Sequence, residues 1–429
     1  MIEDYSIRNE FSIYNAQEFL KSVEDNKLYI FLGRASEWPD EDDPPTPTSS
    51  QQIMMSAWDN MLVTKRVISS NFTLAIKKNI WTSGTIYQPW DSEDGLLYNK
   101  QFFVITSANR VYKCLDRIPG TPSTIEPTHT GVTPVRLSDG YTWKFMYDIS
   151  NTDINKFNDT EAIPVKYLTQ NDGSLQWQVQ EYAVPGTINS IEVLNQGSGY
   201  TSSPSITITG DGTGAAATAV LDGNKLKYII VTQVGQGYTW ANISISGSGS
   251  GATARAIISP IKGHGWNPVE ELFGTSVIST VTFDGDESGV IPLNIKFRQI
   301  GLMSNPTLNG SSTIADLSGA NRQYTLLNMS GVSGTFVEGE YINNVTQNIS
   351  NVAQIIKFES NKLYVNVLKG SISANDQLQG VSSGTSGEVL TLVPHIMENY
   401  SGDMLYLENR TPISKIENQS ETYRLIIKF

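Results

Sequence analysis

A single cysteine in 429 residues, Cys114, has no partner for an intrachain disulfide, which excludes a disulfide-built fold of the secreted kind. It lies in the strand-like run Val111-Tyr-Lys-Cys-Leu115 and reads as a small buried residue, not a reactive thiol. Histidine is almost as scarce. His129, His264 and His395 fall in different predicted elements, no His or Cys pair has metal-ligand spacing, and each is expected to be a satisfied loop residue. Neither a metal nor a cofactor is expected. Charge is sparse at 17% of residues, and positive charge is the scarcer sign: 30 Lys and Arg against 43 Asp and Glu leave −13. That balance repels phosphate backbones and anionic lipid surfaces, so nucleic acid and membrane are not expected partners.

Long apolar runs are missing too. Nothing approaches the roughly 20 residues of a membrane span, and Met1-Ile-Glu-Asp-Tyr5 lacks the basic-then-apolar order of a signal peptide. The expectation is synthesis in the cytoplasm, with exit only by a route such as lysis. No Gly-x-Ser-x-Gly elbow precedes a helix, and the glycine-rich stretches 210–214 and 247–251 lack the Lys-Ser/Thr and helix of a phosphate cradle. Both read as turns, and Asp211 alone is too few carboxylates for calcium. Paired catalytic carboxylates leave no sequence mark, but no other catalytic signature is legible, and the chain is expected not to be an enzyme.

What is present is glycine, serine, threonine and asparagine in a mix that suits turn-rich β structure, over a length that predicts two to four domains. The fold class expected is mainly β with a few helices, a β-rich α+β protein. The clearest helix is 50–65, where Ile53, Met54, Ala57, Trp58, Met61 and Leu62 recur at helical spacing, with Ser49 and Gln52 as a capping box. A weaker helix covers 16–23, and 27–32 reads as a buried strand. Four prolines and an acidic cluster make 38–47 a surface loop. The runs 101–105 and 141–146 alternate as strands of an antiparallel sheet.

Two internal repeats interrupt this pattern. Ile191-Glu-Val-Leu-Asn-Gln-Gly-Ser-Gly-Tyr-Thr201 recurs as Ile229-Ile-Val-Thr-Gln-Val-Gly-Gln-Gly-Tyr-Thr239, and each copy continues with an Ile-x-Ile strand and a Gly-Ala step. One supersecondary unit is duplicated around a shared core. A fainter repeat relates 334–342 to 370–378 and 352–355 to 386–389. The organisation expected is a discontinuous core of 1–185, 261–310 and 396–429, with small β modules inserted at 186–260 and 311–395.

Candidate interface residues lie in two places. Arg34 and Trp38 form an aromatic and guanidinium pair of the kind enriched at hot spots, with packing beneath the acidic loop as the alternative. Glu408, Asn409 and Arg410 form a turn whose Arg can grip a carboxylate of a partner or of its own Glu408. Tyr200, Tyr238 and Trp240 beside glycine-rich turns can stack on sugars or fill the repeat's own core, so a carbohydrate-binding or adhesin protein is the competing function.

Five blocks carry a resemblance: Ile30-Phe-Leu-Gly-Arg34 with Trp38-Pro39; Val111-Tyr-Lys-Cys-Leu-Asp116; Gly140-Tyr-Thr-Trp-Lys-Phe-Met-Tyr147; Phe297-Arg-Gln-Ile-Gly-Leu-Met-Ser-Asn-Pro306; and Gly402-Asp-Met-Leu-Tyr-Leu-Glu-Asn-Arg-Thr-Pro-Ile413. In that order they resemble the baseplate wedge subunit called gene product eight in T-even-like contractile-tailed phages. The resemblance implies a virion structural protein, homodimeric within each wedge, held among other wedge proteins in the tail baseplate and acting mechanically as the plate reorganises before sheath contraction. The T-even member's stretches corresponding to the two repeats are shorter, so the resemblance assigns those modules no role.

Overall fold

The computed structural model describes residues 5–429. Among them 44% lie in strands and 12% in helices, a mostly β chain with several sheets and a small six-stranded barrel. The chain forms two compact units, one built from residues up to Leu20 with 72–279 and 424–429, the other from 21–71 and 280–423. The segments 1–185, 261–310 and 396–429, expected as one core, are therefore shared between two units.

In the second unit a five-stranded antiparallel sheet runs in the order Ala320–Arg322, Met61–Val67, Leu28–Gly33, Ile295–Ser304, Asp403–Lys415. Leu28–Gly33 is central, and all six of its residues are buried, as its unbroken apolar run requires. Phe31 lies opposite Gly301, where any Cβ would sit 2.2 Å from the Phe31 ring, so a glycine is the only residue that fits.

The helix expected over 50–65 stops early. It spans Gln51–Asp59, capped by Ser50, whose hydroxyl accepts from the Ile53 N–H at 3.3 Å. Asn60 ends it, and Met61–Val67 becomes a strand. Val63, Thr64 and Val67 are β-branched, and the strand is mostly buried; sheet packing overrides a helical spacing that the apolar residues satisfy equally well.

The first unit holds a four-stranded sheet ordered Phe103–Ile105, Arg110–Asp116, Thr142–Asp148, Val135–Arg136. A second sheet places Phe72–Lys77 between Ala162–Val165 and the start of Ser276–Asp284, with Ser420–Lys428 at its edge. The chain's last two strands therefore do not pair with each other. Asp403–Lys415 adds to Ile295–Ser304, while the Phe429 N–H donates to the Thr275 carbonyl at 3.1 Å and its ring lies 5.6 Å from that of Phe19. Phe429 thus belongs to the first unit and the Leu28–Gly33 strand to the second.

The first repeat folds as a closed exchange between its copies. Copy one is Ile188–Ser198, Ser205–Gly210 and Thr213–Asp222; copy two is Lys225–Gln236, Ala241–Ser246 and Ser250–Ile258. The first strand of each copy pairs with the third of the other, and the two middle strands pair together. Ile188, Ile191, Leu226, Ile229 and Tyr238 fill one shared core. Gly197 and Gly235 occupy equivalent strand positions with φ of 60°, each so close to the facing strand that a Cβ would meet a backbone nitrogen at 2.5 or 2.6 Å.

The second repeat uses the same scheme. Its copies are Thr325–Ser330, Tyr341–Asn344, Ile349–Glu359 and Lys362–Val367, Gln377–Gly380, Ser386–Val393. Again first pairs with third across copies and middle with middle; the two first strands also pair, and within each copy the middle strand pairs with the third, which closes the barrel. Its core is aliphatic, centred on Leu327, Ile342, Ile355, Leu363, Val365 and Leu378. The barrel starts at Thr325, not 311: Ala320–Arg322 is an edge strand of the five-stranded sheet.

Candidate functional site

The two sets of candidate interface residues, far apart in sequence, meet in one cluster of the second unit. Arg34 follows a buried strand and turns the chain with φ of 59°, a conformation unfavourable for a branched side chain. Its N–H donates to the Asn60 carbonyl at 2.7 Å, and its guanidinium lies 3.7 Å above the Trp38 ring. Trp38 is only 8% exposed, and its Nε1–H donates to the Arg410 carbonyl at 3.0 Å. Of the two readings open for Trp38, the structure has the one that packs beneath the loop.

Asn409 binds in both directions. Its Nδ2 donates to the Pro45 carbonyl at 2.7 Å and its Oδ1 accepts from Gln299 Nε2 at 2.8 Å, so it ties the proline-rich loop to the edge of the sheet. Two residues that sequence reasoning missed complete the clamp. Arg298, 2% exposed, donates through Nε to both oxygens of Glu41 at 2.8 and 2.9 Å and through Nη1 to the Ala35 carbonyl at 2.5 Å. Those bonds from Arg298 hold the Glu41 carboxyl below its ordinary range. An arginine within the otherwise uncharged block 297–306, in a chain with an acidic loop at 40–43, was the available signal.

Only the rim faces solvent. Glu408 and Arg410 pair at 3.2 Å with side chains 39% and 43% exposed. Arg410 thus grips its own Glu408, while both keep open faces for a partner. The cluster has neither a nucleophile nor a cavity; its chemistry is that of a contact surface.

His395 is a loop residue with Thr325 Oγ1 at 3.4 Å from its Nδ1, as expected, but the other two histidines depart from expectation. His264 is buried, its Nδ1 without a hydrogen-bond partner, and burial together with the nearby Lys113 ammonium depresses it to about 3, so it is neutral. It stands beside a buried ion pair, Lys113 with Glu271. Glu271 also accepts from the Gly265 N–H at 2.8 Å and the Asn267 N–H at 3.2 Å. Burial, the largest single influence, raises the Glu271 carboxyl, but the Lys113 ammonium and the contacts with His264 and Lys113 together outweigh it and bring it to about 2. His129 Nδ1 is likewise buried without a partner, its Nε2 lying 3.1 Å from the Trp143 carbonyl.

Asp211 is a turn brace. It accepts from the N–H groups of Thr239 at 2.9 Å and Trp240 at 3.2 Å, and the Thr239 contacts bring it to about 2. Among the described residues no group of three or more His, Cys, Asp or Glu side chains could hold a metal ion. Tyr200 and Tyr238 are buried at 3% and 5%, each over glycines of the other copy, Gly247 and Gly249 under Tyr200 and Gly210 and Gly212 under Tyr238, whereas Trp240 is 55% exposed. Cys114 is fully buried, and burial pushes its thiol well up from the ordinary value. Among the described residues no helix is long and apolar enough to cross a membrane. No protein-family profile matches the chain, and no curated protein matches it.

Proposed function

We propose that this chain is a structural subunit of a contractile-tail baseplate wedge, acting through protein contacts in the virion and not through catalysis. The observation that carries the reading is where the five resembling blocks fall. Leu28–Gly33, Ile295–Ser304 and Asp403–Lys415, which hold three of them, are adjacent strands of one sheet. The other two, Arg110–Asp116 and Thr142–Asp148, pair with each other. Blocks scattered over the whole chain thus gather as neighbouring strands in two sheets, as expected for a shared scaffold with variable modules hung from it.

The Trp38 and Arg410 clamp then serves to keep a long acidic loop rigid at the sheet edge, with Glu408 and Arg410 as the rim offered to a neighbouring wedge protein. Rigid β units moving about such contacts suit a plate that reorganises. A homodimer within the wedge belongs to the same reading. The adhesin alternative rests on Trp240 alone, since its two tyrosines are committed to the module's core.

Mass spectrometry of tails purified from particles whose genome encodes the chain tests this, and its absence from that fraction sinks the reading. Size-exclusion chromatography with light scattering tests the dimer separately, with twice 47.2 kDa expected at micromolar concentration.

A further inference from the structure

The first unit contains a cleft of about 550 Å³ in no contact with the residues discussed above as interface candidates. One wall is a face of the Tyr5–Asp25 helix presenting Glu10, Ile13, Tyr14 and Gln17; the opposite wall is the 90–98 loop, and Glu270, Glu271 and Phe273 close it. Its volume is within the range of true ligand sites.

The lining is one-sided in charge. Glu10, Asp91, Asp94, Glu270 and Glu271 contribute carboxylates, and no Lys, Arg or His is among the lining residues. Three of the five are answered from behind: Asp94 by Lys100, Glu271 by Lys113, and Asp91 by Arg255 at 2.5 Å. Arg255 is itself shared with Glu93 at 2.8 Å and Glu192 at 2.6 Å, so one guanidinium serves three carboxylates. Glu10 and Glu270 are exposed and take part in none of the ion pairs among the described residues. A cation entering the cleft therefore meets uncompensated negative charge from both walls.

The apolar part of the lining is aromatic. Trp90, Tyr14, Tyr98 and Phe273 border the cleft, with Tyr14 57% and Tyr98 44% exposed. Beyond it the same helix shows Phe11, 64% exposed and one turn from Tyr14. Aromatic faces with carboxylates select guanidinium and ammonium groups that carry an aliphatic stem. The aromatic surface running out of the cleft along the helix is more than a small free cation covers.

We propose that this cleft is a docking site for an arginine- or lysine-bearing segment of a partner polypeptide, whose basic side chain enters between Glu10 and Glu270 while neighbouring apolar residues cover Tyr14 and Phe11. The inference does not rest on the tail reading and survives its failure.

The test uses the full chain and a fluorescein-labelled acetyl-Leu-Arg-Leu-Lys-amide peptide, followed by anisotropy. Saturable binding is expected, absent for the same peptide with glutamate in place of both basic residues and weakened by salt. The double variant Glu10→Gln with Glu270→Gln, which changes only exposed side chains, is expected to lose about tenfold in affinity at unchanged melting temperature. Tyr14→Ala is expected to lose severalfold, and Asp222→Asn, on another hairpin, nothing. No binding of the basic peptide at about 1 mM, or equal binding by the double variant, overturns the proposal. Displacement of the peptide by spermidine at matching concentration overturns its polypeptide part and makes the cleft a site for free polyamines.

Discussion

Glu271 offers the sharpest quantitative test of the physical account. Replacing it by glutamine keeps an oxygen for the Gly265 and Asn267 N–H groups but removes the charge that faces Lys113, whose side chain is 0% exposed. The folded carboxyl is lowered from its ordinary 4.5 to about 2. Because the folded value is the lower one, the stabilisation is complete above about 4.5 and is lost as pH falls toward about 2. The gap corresponds to ~3 kcal/mol at neutral pH, of the same order as the cost of leaving one member of a buried pair alone. In a unit of this size that is a melting shift of about 6–12 °C.

Differential scanning calorimetry of wild type and Glu271→Gln from pH 7 down to pH about 2.5 measures it. His264, neutral in the fold with its own value near 3, loses stability in acid by the same sign, because unfolding allows it to take up a proton. It does so in both proteins, so the informative quantity is the difference between them. That difference should be large at pH 7 and shrink steadily below about 4.5. Adding Lys113→Met to Glu271→Gln should recover much of the loss, since no unpaired charge is then buried. A difference that is the same at both ends of the pH range would refute the electrostatic origin and leave only altered packing.

Other outcomes follow from single contacts. Gly235→Ala should destabilise the first module by about 2–4 kcal/mol, because the left-handed backbone and a clash 2.6 Å from the Ala215 nitrogen act together. Gly223→Ala, at φ of 61° with nothing within 4 Å, should cost only about 1 kcal/mol, and hydrogen exchange of strands 213–222 and 225–236 distinguishes the two. Trp38→Ala should cost about 3 kcal/mol and open the 38–47 loop to limited proteolysis, whereas protection equal to wild type would show that the Trp38 bond to Arg410 is not what holds it. A glycan array probed with the intact protein should be flat; a hit abolished by Trp240→Ala would instead favour the carbohydrate-binding reading.

Sequence alone made some elements legible and hid others for identifiable reasons. Leu28–Gly33 could be read because its apolar run is strand-length, carries two aromatic residues and ends in glycine, features that favour a doubly buried strand over a helix. The split at Asn60 could not, since Met61 and Leu62 continue the helical spacing of Ile53, Met54, Ala57 and Trp58 while in fact starting a strand. The duplication at 191 and 229 was visible as self-similarity, but strand exchange between copies was not, because either copy could have paired with itself. In the candidate site, Arg34, Trp38 and Asn409 were recognisable as residue types with unspent hydrogen-bonding capacity. That Trp38 and Arg410 touch depends on how a 13-residue edge strand is laid against the loop, which is long-range information. The Lys113, Glu271 and His264 group left no local trace at all, since its members come from separate elements that only the fold brings together.

The exchange between copies also explains how two modules can interrupt a scaffold. Pairing the first strand of copy one with the third strand of copy two places a module's entry beside its exit: Ile188 is opposite Ile258, and Leu326 opposite Val393. Paired residues of this kind are about 5 Å apart, a distance that an ordinary surface loop spans. At the foot of the first module the Ser259 N–H donates to the Thr187 carbonyl at 2.8 Å, and the Thr187 N–H donates to Ser259 Oγ at 3.0 Å, so the stem is itself closed by hydrogen bonds. A module built by local hairpins alone would have no such requirement on its ends, and its insertion would have to be accommodated by the scaffold. Here the duplicated unit supplies the closure, and the loop entropy that the insertion adds grows only slowly with length. Two repeats with little sequence in common share the exchange of first and third strands between copies, the part of the pairing that brings a module's ends together.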